Sequence, residues 1–455
     1  MASIGWPNAA IFEWLQVLLI ERYGQRFDFL LVGDATLRMS VALQEGYIEF
    51  PLDVVAFNLH CSDLPCAQWF ARNEGWNPVY QDVLPAPGLK SISGALIEQS
   101  ESSYKIHYDL FGFVYWMLAR CEELSHAQLD EHERFPASQS HSAKHGYLDR
   151  PLVDEWLALL GEVISRQWPS LKLKAHVFSI KVSHDVDEPS RYAFRSFKGL
   201  VRAAGGDLLK RGDVLGALRV PMIKLGSRNR ISTKDPSNTF EWLMTESERH
   251  GLVSAFYFIC GRTDPAKDGD YEIEHPSIRA LLRSIHERGH EIGLHPSYNT
   301  FLADDGVSLE AQRLKRVCRE EGIDLGPLGG RMHYLRWRHP VTLAAWEKAG
   351  MAYDSTLGYA ELPGFRCGTC HEYPAFDPIT QKMLRLRIRP LIVMDVTLIS
   401  SSYMGLEPGE GARVLVEKIK SACRAVGGTF TLLWHNSNFL RIEERAFYSA
   451  LLERD

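Results

Sequence analysis

From Leu173 onward the sequence alternates short apolar runs with stretches of ten to fifteen residues of helical periodicity, which is the pattern of parallel βα units. Seven such runs stand out: Val177–Ser183, Val253–Ile259, His290–Leu294, Leu328–Met332, Met351–Asp354, Leu391–Val396 and Thr429–Trp434. Helices are expected at Asn238–His250, Pro276–Arg288, Ser308–Glu321, Pro340–Ala349 and Gly411–Ala425, several opening on Pro or Ser or closing on Gly as caps require. Strands apolar on both faces imply a closed barrel or a doubly wound sheet. Either architecture collects chemistry beyond the C-terminal ends of its strands.

Residues 1–172 read differently, so the chain divides into an N-terminal α/β domain (1–172) and a larger α/β unit (173–455). The first part holds strand-like runs at Phe27–Gly33 and Asp53–Leu59 and helices at Tyr108–Cys121 and Leu152–Arg166. Phe135–His145 is polar, rich in His and Ser, and reads as a surface loop. Ile11–Ile20 is the most apolar N-terminal run, but Glu13 and Gln16 make it an amphipathic helix. With 45 % apolar and 24 % charged residues and a net charge of −6, the composition excludes disordered, collagenous and coiled-coil classes. A secretory leader is absent from the first residues, so a cytoplasmic location is expected, with the eight Cys reduced.

The residues after the seven runs carry the chemistry. Over the seven runs together, chance places about 0.8 His in the three-residue stretches that follow them, whereas His184, His295, His333 and His435 all stand there. Asp185, Asp187, Asp354 and Asp395 share the same rim. In Ser183-His184-Asp185-Val186-Asp187, two Asp separated by one residue point the same way from an extended segment. One can then hold a divalent cation while the other takes a proton from water. His295 is placed to ligate through one ring nitrogen while backbone or carboxylate fixes the other. Arg331-Met332-His333-Tyr334-Leu335-Arg336-Trp337 brings a guanidinium able to orient a carboxylate, and aromatics suited to a sugar face. His435, directly after an apolar strand, suits a general acid for a leaving group. His290 begins its strand and is expected to be structural.

Together these clusters resemble the NodB-like polysaccharide deacetylases over about residues 175–455. The resemblance implies a distorted (β/α)7 barrel and metal-assisted removal of N- or O-acetyl groups from sugars. It implies Asp185 as base and Asp187 as metal ligand, roles that are exchangeable, with His295 as a second ligand and His435 as acid oriented by Asp395. Arg331 would belong to the catalytic set, and Tyr298, His333, Tyr334, Arg336 and Trp434 would contact substrate. The implied cofactor is a divalent metal, Zn foremost, with Co, Ni or Mn as alternatives. Asn299 stands where the family pattern has a second His, and His333 where it has Pro. Three protein ligands are usual in catalytic zinc sites, so His184, His333 or Asn299 is expected to complete the set.

A narrower resemblance, to WbmS-type deacetylase-like proteins of bacterial surface-polysaccharide gene clusters, rests on three stretches. These are Asp109–Glu123, Tyr353–Tyr359 and Gly364–Cys370. It implies a role in O-antigen or lipopolysaccharide synthesis on a nucleotide- or lipid-linked sugar. Two rivals stand beside it: a metal-independent C–N hydrolase on the same barrel, and a catalytically inactive sugar-binding or assembly component.

Cys367-Gly368-Thr369-Cys370 imitates a redox motif but lacks the strand-to-helix setting, so a tight loop near the site is expected. Residues 191–234 hold eleven Lys plus Arg against two Asp, so this segment carries +9 while the remainder carries −15. Such a block is a solvated face, a phosphate contact or a peripheral contact with anionic membrane. Nucleic acid is not an expected partner. Arg385, Arg387 and Arg389 alternate with Leu384, Leu386 and Ile388, as on the exposed face of a strand.

Overall fold

A computed structural model of the chain describes residues 5–125, 128–202, 205, 214–439 and 441–454. In the N-terminal region, helix α1 (Ala9–Tyr23) is followed by β1 (Asp28–Val32), β2 (Thr36–Ser40) and β3 (Tyr47–Pro51). Then come β4 (Cys66–Phe70), β5 (Val83–Pro87), β6 (Ile97–Gln99) and β7 (Ser103–Ile106). One sheet runs β1-β2-β3-β7-β6, and β4 and β5 form a separate antiparallel pair. Against them pack α2 (Leu110–Leu118), α3 (His141–Lys144) and α4 (Leu152–Gln167). Every residue of α2 is buried, as befits a helix apolar all round.

Two N-terminal expectations fail for local reasons. Asp53–Leu59 is not a strand; the Asp53 carboxylate accepts from the amides of Val55 and Ala56, and this turn leads into a 3-10 helix at Ala56–Asn58. Phe135–His145 is not a surface loop, since Phe135, Ala137, Ser140, His141 and Ser142 are buried. The Glu122 carboxylate accepts from the His141 amide, and the His141 ring bridges Tyr147 Oη (2.5 Å) and the Leu64 carbonyl (2.9 Å). Polar composition there reflects long-range docking.

All seven apolar runs contain strands. They are β8 (Ser179–Val186), β9 (Ser254–Ile259), β10 (Glu291–His295), β11 (Gly329–Gly330), β12 (Tyr353–Asp354), β15 (Val393–Met394) and β16 (Thr429–Leu433). An unforeseen antiparallel hairpin, β13 (Tyr373–Asp377) and β14 (Lys382–Ile388), adds β14 parallel to β12. The order is β13-β14-β12-β11-β10-β9-β8-β16-β15, with every pair parallel except β13 and β14. Among the described residues no pairing joins β14 to β15, so the strand pairing of the expected distorted (β/α)7 barrel is that of a largely parallel sheet without detected closure. Helices α5 (Val214–Gly226), α6 (Phe240–Arg249), α7 (Pro276–Glu287), α8 (Gly306–Glu320), α9 (Val341–Lys348), α10 (Asp395–Ile399), α11 (Glu410–Ala425) and α12 (Ile442–Leu451) complete the unit. Among the described residues no helix is long and apolar enough to cross a membrane.

Glycine sets the closest strand approach. A Cβ on Gly330 would lie 1.9 Å from the Leu294 carbonyl oxygen, so β11 can sit against β10 only without a side chain there. That approach brings the Arg331 amide to the same carbonyl at 3.0 Å. The hairpin arginines are largely paired: Arg387 binds Glu21 and Glu372, Arg389 binds Glu372, and Arg385 alone stays mostly exposed while touching Glu347.

The N-terminal region meets the sheet unit through a buried ionic cluster. Both Arg120 Nε (2.8 Å) and Arg366 Nε (3.0 Å) donate to Glu123 Oε1, while Arg366 Nη2 reaches Oε2 at 2.6 Å. Arg120 also binds Glu122 Oε1 at 2.6 Å and the Arg366 carbonyl. Burial alone would raise the Glu123 carboxyl, but the two guanidiniums outweigh it and hold it down at about 2. The Cys367–Cys370 loop belongs to this boundary too: Asp154 accepts from Thr369 Oγ1 and the Cys370 amide. The Cys370 carbonyl accepts from Thr429, which opens β16, so this loop lies at the strand end opposite the His435 rim. The expectation of a loop near the site is corrected accordingly.

Removing one partner from a buried ionic cluster strands the other. Arg366→Ala is therefore expected to lower unfolding stability by roughly 3–5 kcal/mol in a denaturant titration; an unchanged midpoint would contradict this account. Burial, with His145 nearby, pushes the His141 imidazole down to about 3. The unfolded chain therefore binds a proton near pH 6.5 that the fold refuses, and stability is lost as pH falls below that value. Replacing His141 with Gln should remove roughly 1 kcal/mol of the pH dependence of stability between pH 7.5 and 5.5. Parallel curves for the two proteins would refute it.

Candidate active site

Strand alternation decides which residues of the first motif face the interior. β8 runs to Val186, three residues further than expected, so Ser183 and Asp185 share one face and His184 takes the other. Asp185 Oδ1 accepts from Arg331 Nη1 at 2.7 Å, and Ser183 Oγ accepts from Arg331 Nη2 at 2.9 Å. The same guanidinium donates from Nε to the Ser355 carbonyl (2.9 Å) and from Nη2 to Ser355 Oγ (3.0 Å). Arg331 is fully buried and locked on four sides, so it fixes the Asp185 carboxylate in one orientation.

Asp187 follows β8 and receives three imidazoles. His295 Nε2 stands 3.2 Å and His333 Nε2 3.6 Å from its Oδ1, and His435 Nε2 lies 3.6 Å from its Oδ2. Ligand atoms of Asp187, His295 and His333 all lie within 4.8 Å of one another. The second nitrogen of each of these two rings is engaged: His295 Nδ1 with the Arg331 carbonyl at 2.7 Å, and His333 Nδ1 with Asp268 Oδ1 at 3.0 Å. Asp187 Oδ1 is shielded from solvent yet accepts no hydrogen bond. Two oriented imidazoles and an unsatisfied carboxylate oxygen fit a divalent cation with an open position, as zinc hydrolases have. Burial would raise the Asp187 carboxyl, but His333, His295 and His435 around it hold it far below the ordinary carboxylate range.

His435 occupies the other side of Asp187. Its Nδ1 bonds Asp395 Oδ1 at 2.7 Å, its amide donates to Asp395 Oδ2 at 2.8 Å, and Asn438 donates to that same oxygen at 2.8 Å. Asp395 is fully buried. Burial would lower the His435 imidazole, but Asp395 and then Asp187 and Asp185 raise it to about 10.

The structure therefore brings Asp185, Asp187, His295, Arg331, His333, Asp395 and His435 together. His333 stands where a third ligand would, and it also lines the cavity above the centre. His184 is no ligand; its ring nitrogens meet the Trp434 carbonyl (2.7 Å) and Ser254 Oγ (3.2 Å) behind the sheet. Asn299 is exposed and engaged with Arg336 and Thr263. Arg336 is buried over the Tyr298 and Phe301 rings and donates to the His132 and Tyr298 carbonyls, so it clamps loops and does not face substrate. Tyr298 Oη meets His132 Nδ1 at 2.9 Å, and Trp434 is buried behind the centre on Phe439 and Tyr448. Of the expected substrate contacts, His333 and Tyr334 line the cavity. Asp354 is tied into its own turn by Thr356, and His290 accepts from the Ser254 amide, as a structural residue does.

Two contributors escaped the sequence reading. Asp268 lies in the long β9–α7 connection, nine residues beyond the strand, and no spacing announces it. Arg134 comes from the N-terminal region and lines the ≈ 380 Å³ cavity above the centre beside Asp185, Asp187 and Tyr334. In the basic segment, Arg195 pairs with Glu188, and Lys224 donates to the Ala193 and Arg195 carbonyls; Arg228 and Arg230 are exposed. Residues 203, 204 and 206–213, with the Arg219 side chain, lie outside what is described.

Residues 35–169 match a family model described as a family of unknown function, DUF7033. No curated protein matches. Among solved structures, the chain is similar to a protein assigned as a polysaccharide deacetylase from Mycobacterium smegmatis, at 17 % identity and a TM-score of 0.40 over 61 % of this chain and 84 % of that one. It is also similar to PuuE allantoinase, at 11 % identity and a TM-score of 0.36 over 61 % and 83 %. A third, assigned as a polysaccharide deacetylase from Pseudomonas aeruginosa PAO1, gives 12 % identity and a TM-score of 0.34 over 61 % and 84 %.

Titration with zinc or cobalt, followed by calorimetry, is expected to show one site per chain that His333→Ala abolishes and Asn299→Ala preserves. Asp268→Asn, which weakens the support of the His333 ring and the turn bonds that Asp268 accepts from the Asp264 and Tyr298 amides, should weaken affinity roughly 10- to 100-fold. Full affinity in His333→Ala would show the triad to be misassigned.

Proposed function

We propose that this chain is a hydrolase that removes an acyl group from the nitrogen or oxygen of a sugar. The observation that carries the reading is the placement of two differently supported groups around one cation-fitting triad. Asp185 is held by Arg331 on one side of Asp187, His295 and His333, and His435 is held by Asp395 on the other. Asp187, His295 and His333 would hold a divalent cation, which when bound would supply polarisation of an acyl carbonyl.

The protein's own groups then divide the proton work. Asp185 uses Oδ1 to bind Arg331, which leaves Oδ2 to take a proton from the attacking water. His435, kept protonated by the buried Asp395 carboxylate, presents Nε2 to the leaving nitrogen or oxygen. A base and an acid with opposite partners at one centre are what hydrolysis of an amide or ester requires. Tyr334 and Leu335 give the cavity an apolar side against which a sugar ring can lie. The motif resemblances support an acetylated sugar precursor of a bacterial surface polysaccharide as the substrate.

Acetate release from N-acetyl and O-acetyl sugars tests this directly. Asp185→Asn and His435→Ala are each expected to lower kcat by about 10²–10⁴-fold, with metal affinity retained in His435→Ala. Equal rates in both variants and the wild type would sink the assignment, and activity that survives chelation would favour the metal-independent rival.

A further inference from the structure

The cavity above the centre has a wall that the sheet unit does not supply. The turn at 130–134 is pinned by Asp130, whose carboxylate accepts from the amides of His132 (2.9 Å) and Arg134 (2.8 Å) and from Arg134 Nε (2.6 Å). Facing it is the turn carrying Tyr334 and Leu335. Glu133 (φ 58°), Tyr334 (φ 60°) and Leu335 (φ 56°) all adopt the left-handed conformation that costs a side-chain-bearing residue energy. Such strain persists where surrounding contacts enforce it, and it concentrates at functional sites.

The enforcing contacts interlock the two turns. Arg134 Nη1 donates to the Tyr334 carbonyl at 3.0 Å, Arg336 Nε donates to the His132 carbonyl at 2.9 Å, and Glu133 pairs with Arg336 and Arg338. Arg134 Nη2 adds a bond to Tyr403 Oη at 3.1 Å. A guanidinium has five N–H groups, so two of Arg134's remain for a ligand. Lys267, exposed on the same cavity, holds its ammonium 5.4 Å from the Tyr334 ring centre. Among the described residues it has no carboxylate within ion-pair reach. The acids below are committed, Asp185 to Arg331 and Asp187 to the triad. His132, between the turns, is pushed below the usual imidazole value by burial and then by Arg134 and Lys267 together, in keeping with both cations facing one space.

We infer that the N-terminal region forms the recognition wall of the active-site cavity, and that Arg134 with Lys267 selects a sugar carrying an anionic group, a phosphate or a carboxylate. The inference rests on the hydrolase reading for where the sugar sits, but its test does not depend on turnover. The full chain carrying Asp185→Asn, loaded with zinc, is titrated calorimetrically with N-acetylglucosamine, N-acetylglucosamine 1-phosphate and N-acetylglucosaminuronic acid. At least one charged sugar is expected to bind about tenfold or more tighter than the neutral one, and the two charged arms identify the group. Lys267→Ala should cut that preference at least about fivefold without changing affinity for the neutral sugar, and Arg134→Lys should act in the same direction. Lys267 is exposed, so its variant reads the inference even if Arg134→Lys fails to fold. Equal binding of charged and neutral sugars, no binding of either charged sugar, or a preference untouched by Lys267→Ala overturns it. A preserved charge preference with no acetate release by the wild type would sink the hydrolase reading alone.

Discussion

The Glu123 carboxylate, shared between Arg120 and Arg366, is the contact on which the working arrangement of this protein depends. Taking these charges out of water is costly, and only near-complete pairing offsets the loss. Glu122 completes the pairing by accepting from Arg120, Ser62 Oγ and the His141 amide. One cluster therefore binds α2, the 135–145 segment and the loop after β12 into a single body. Those elements carry the turn at 130–134 to the mouth of the cavity, so an ionic contact well away from the chemistry sets the shape of the site.

The centre itself is organised by the same economy of partners. No ring faces the cavity with both nitrogens uncommitted: His295 is held by a backbone carbonyl, His333 by Asp268, and His435 by Asp395. Each support comes from a different strand end or loop, so the site exists only when the sheet order is in place. The region matched by a family of unknown function ends at residue 169, before the first strand of the parallel sheet. Its side chains nonetheless reach the cavity, which makes the two regions parts of one apparatus.

The parallel sheet could be read from the sequence because its strands are buried on both faces and appear as unbroken apolar runs. The hairpin could not: Pro374 interrupts its first strand, and the second carries arginines whose partners, Glu21 and Glu372, are set only by the fold. Asp185, Asp187, His295 and His435 were visible because strand ends convert sequence position into spatial position. His184 was misassigned because β8 continues past Ser183, and one residue of strand reverses the side a chain points to. The sequence leaves His333 open between substrate contact and third ligand, because its ring direction follows from a left-handed turn and from Asp268, sixty-five residues upstream. Asn299 replaces a His in a motif, yet the ring that joins Asp187 and His295 comes from another strand end. Arg134 had no local signal, since nothing near it in sequence refers to the cavity.

Arg331 serves the centre twice, with its carbonyl on His295 and its guanidinium on Asp185. The separation between the His295 ring and the Asp185 carboxylate is thereby set through one residue, whose side-chain torsions are held by bonds to Ser183 and Ser355. A displacement of Arg331 would therefore disturb the ring and the carboxylate at once.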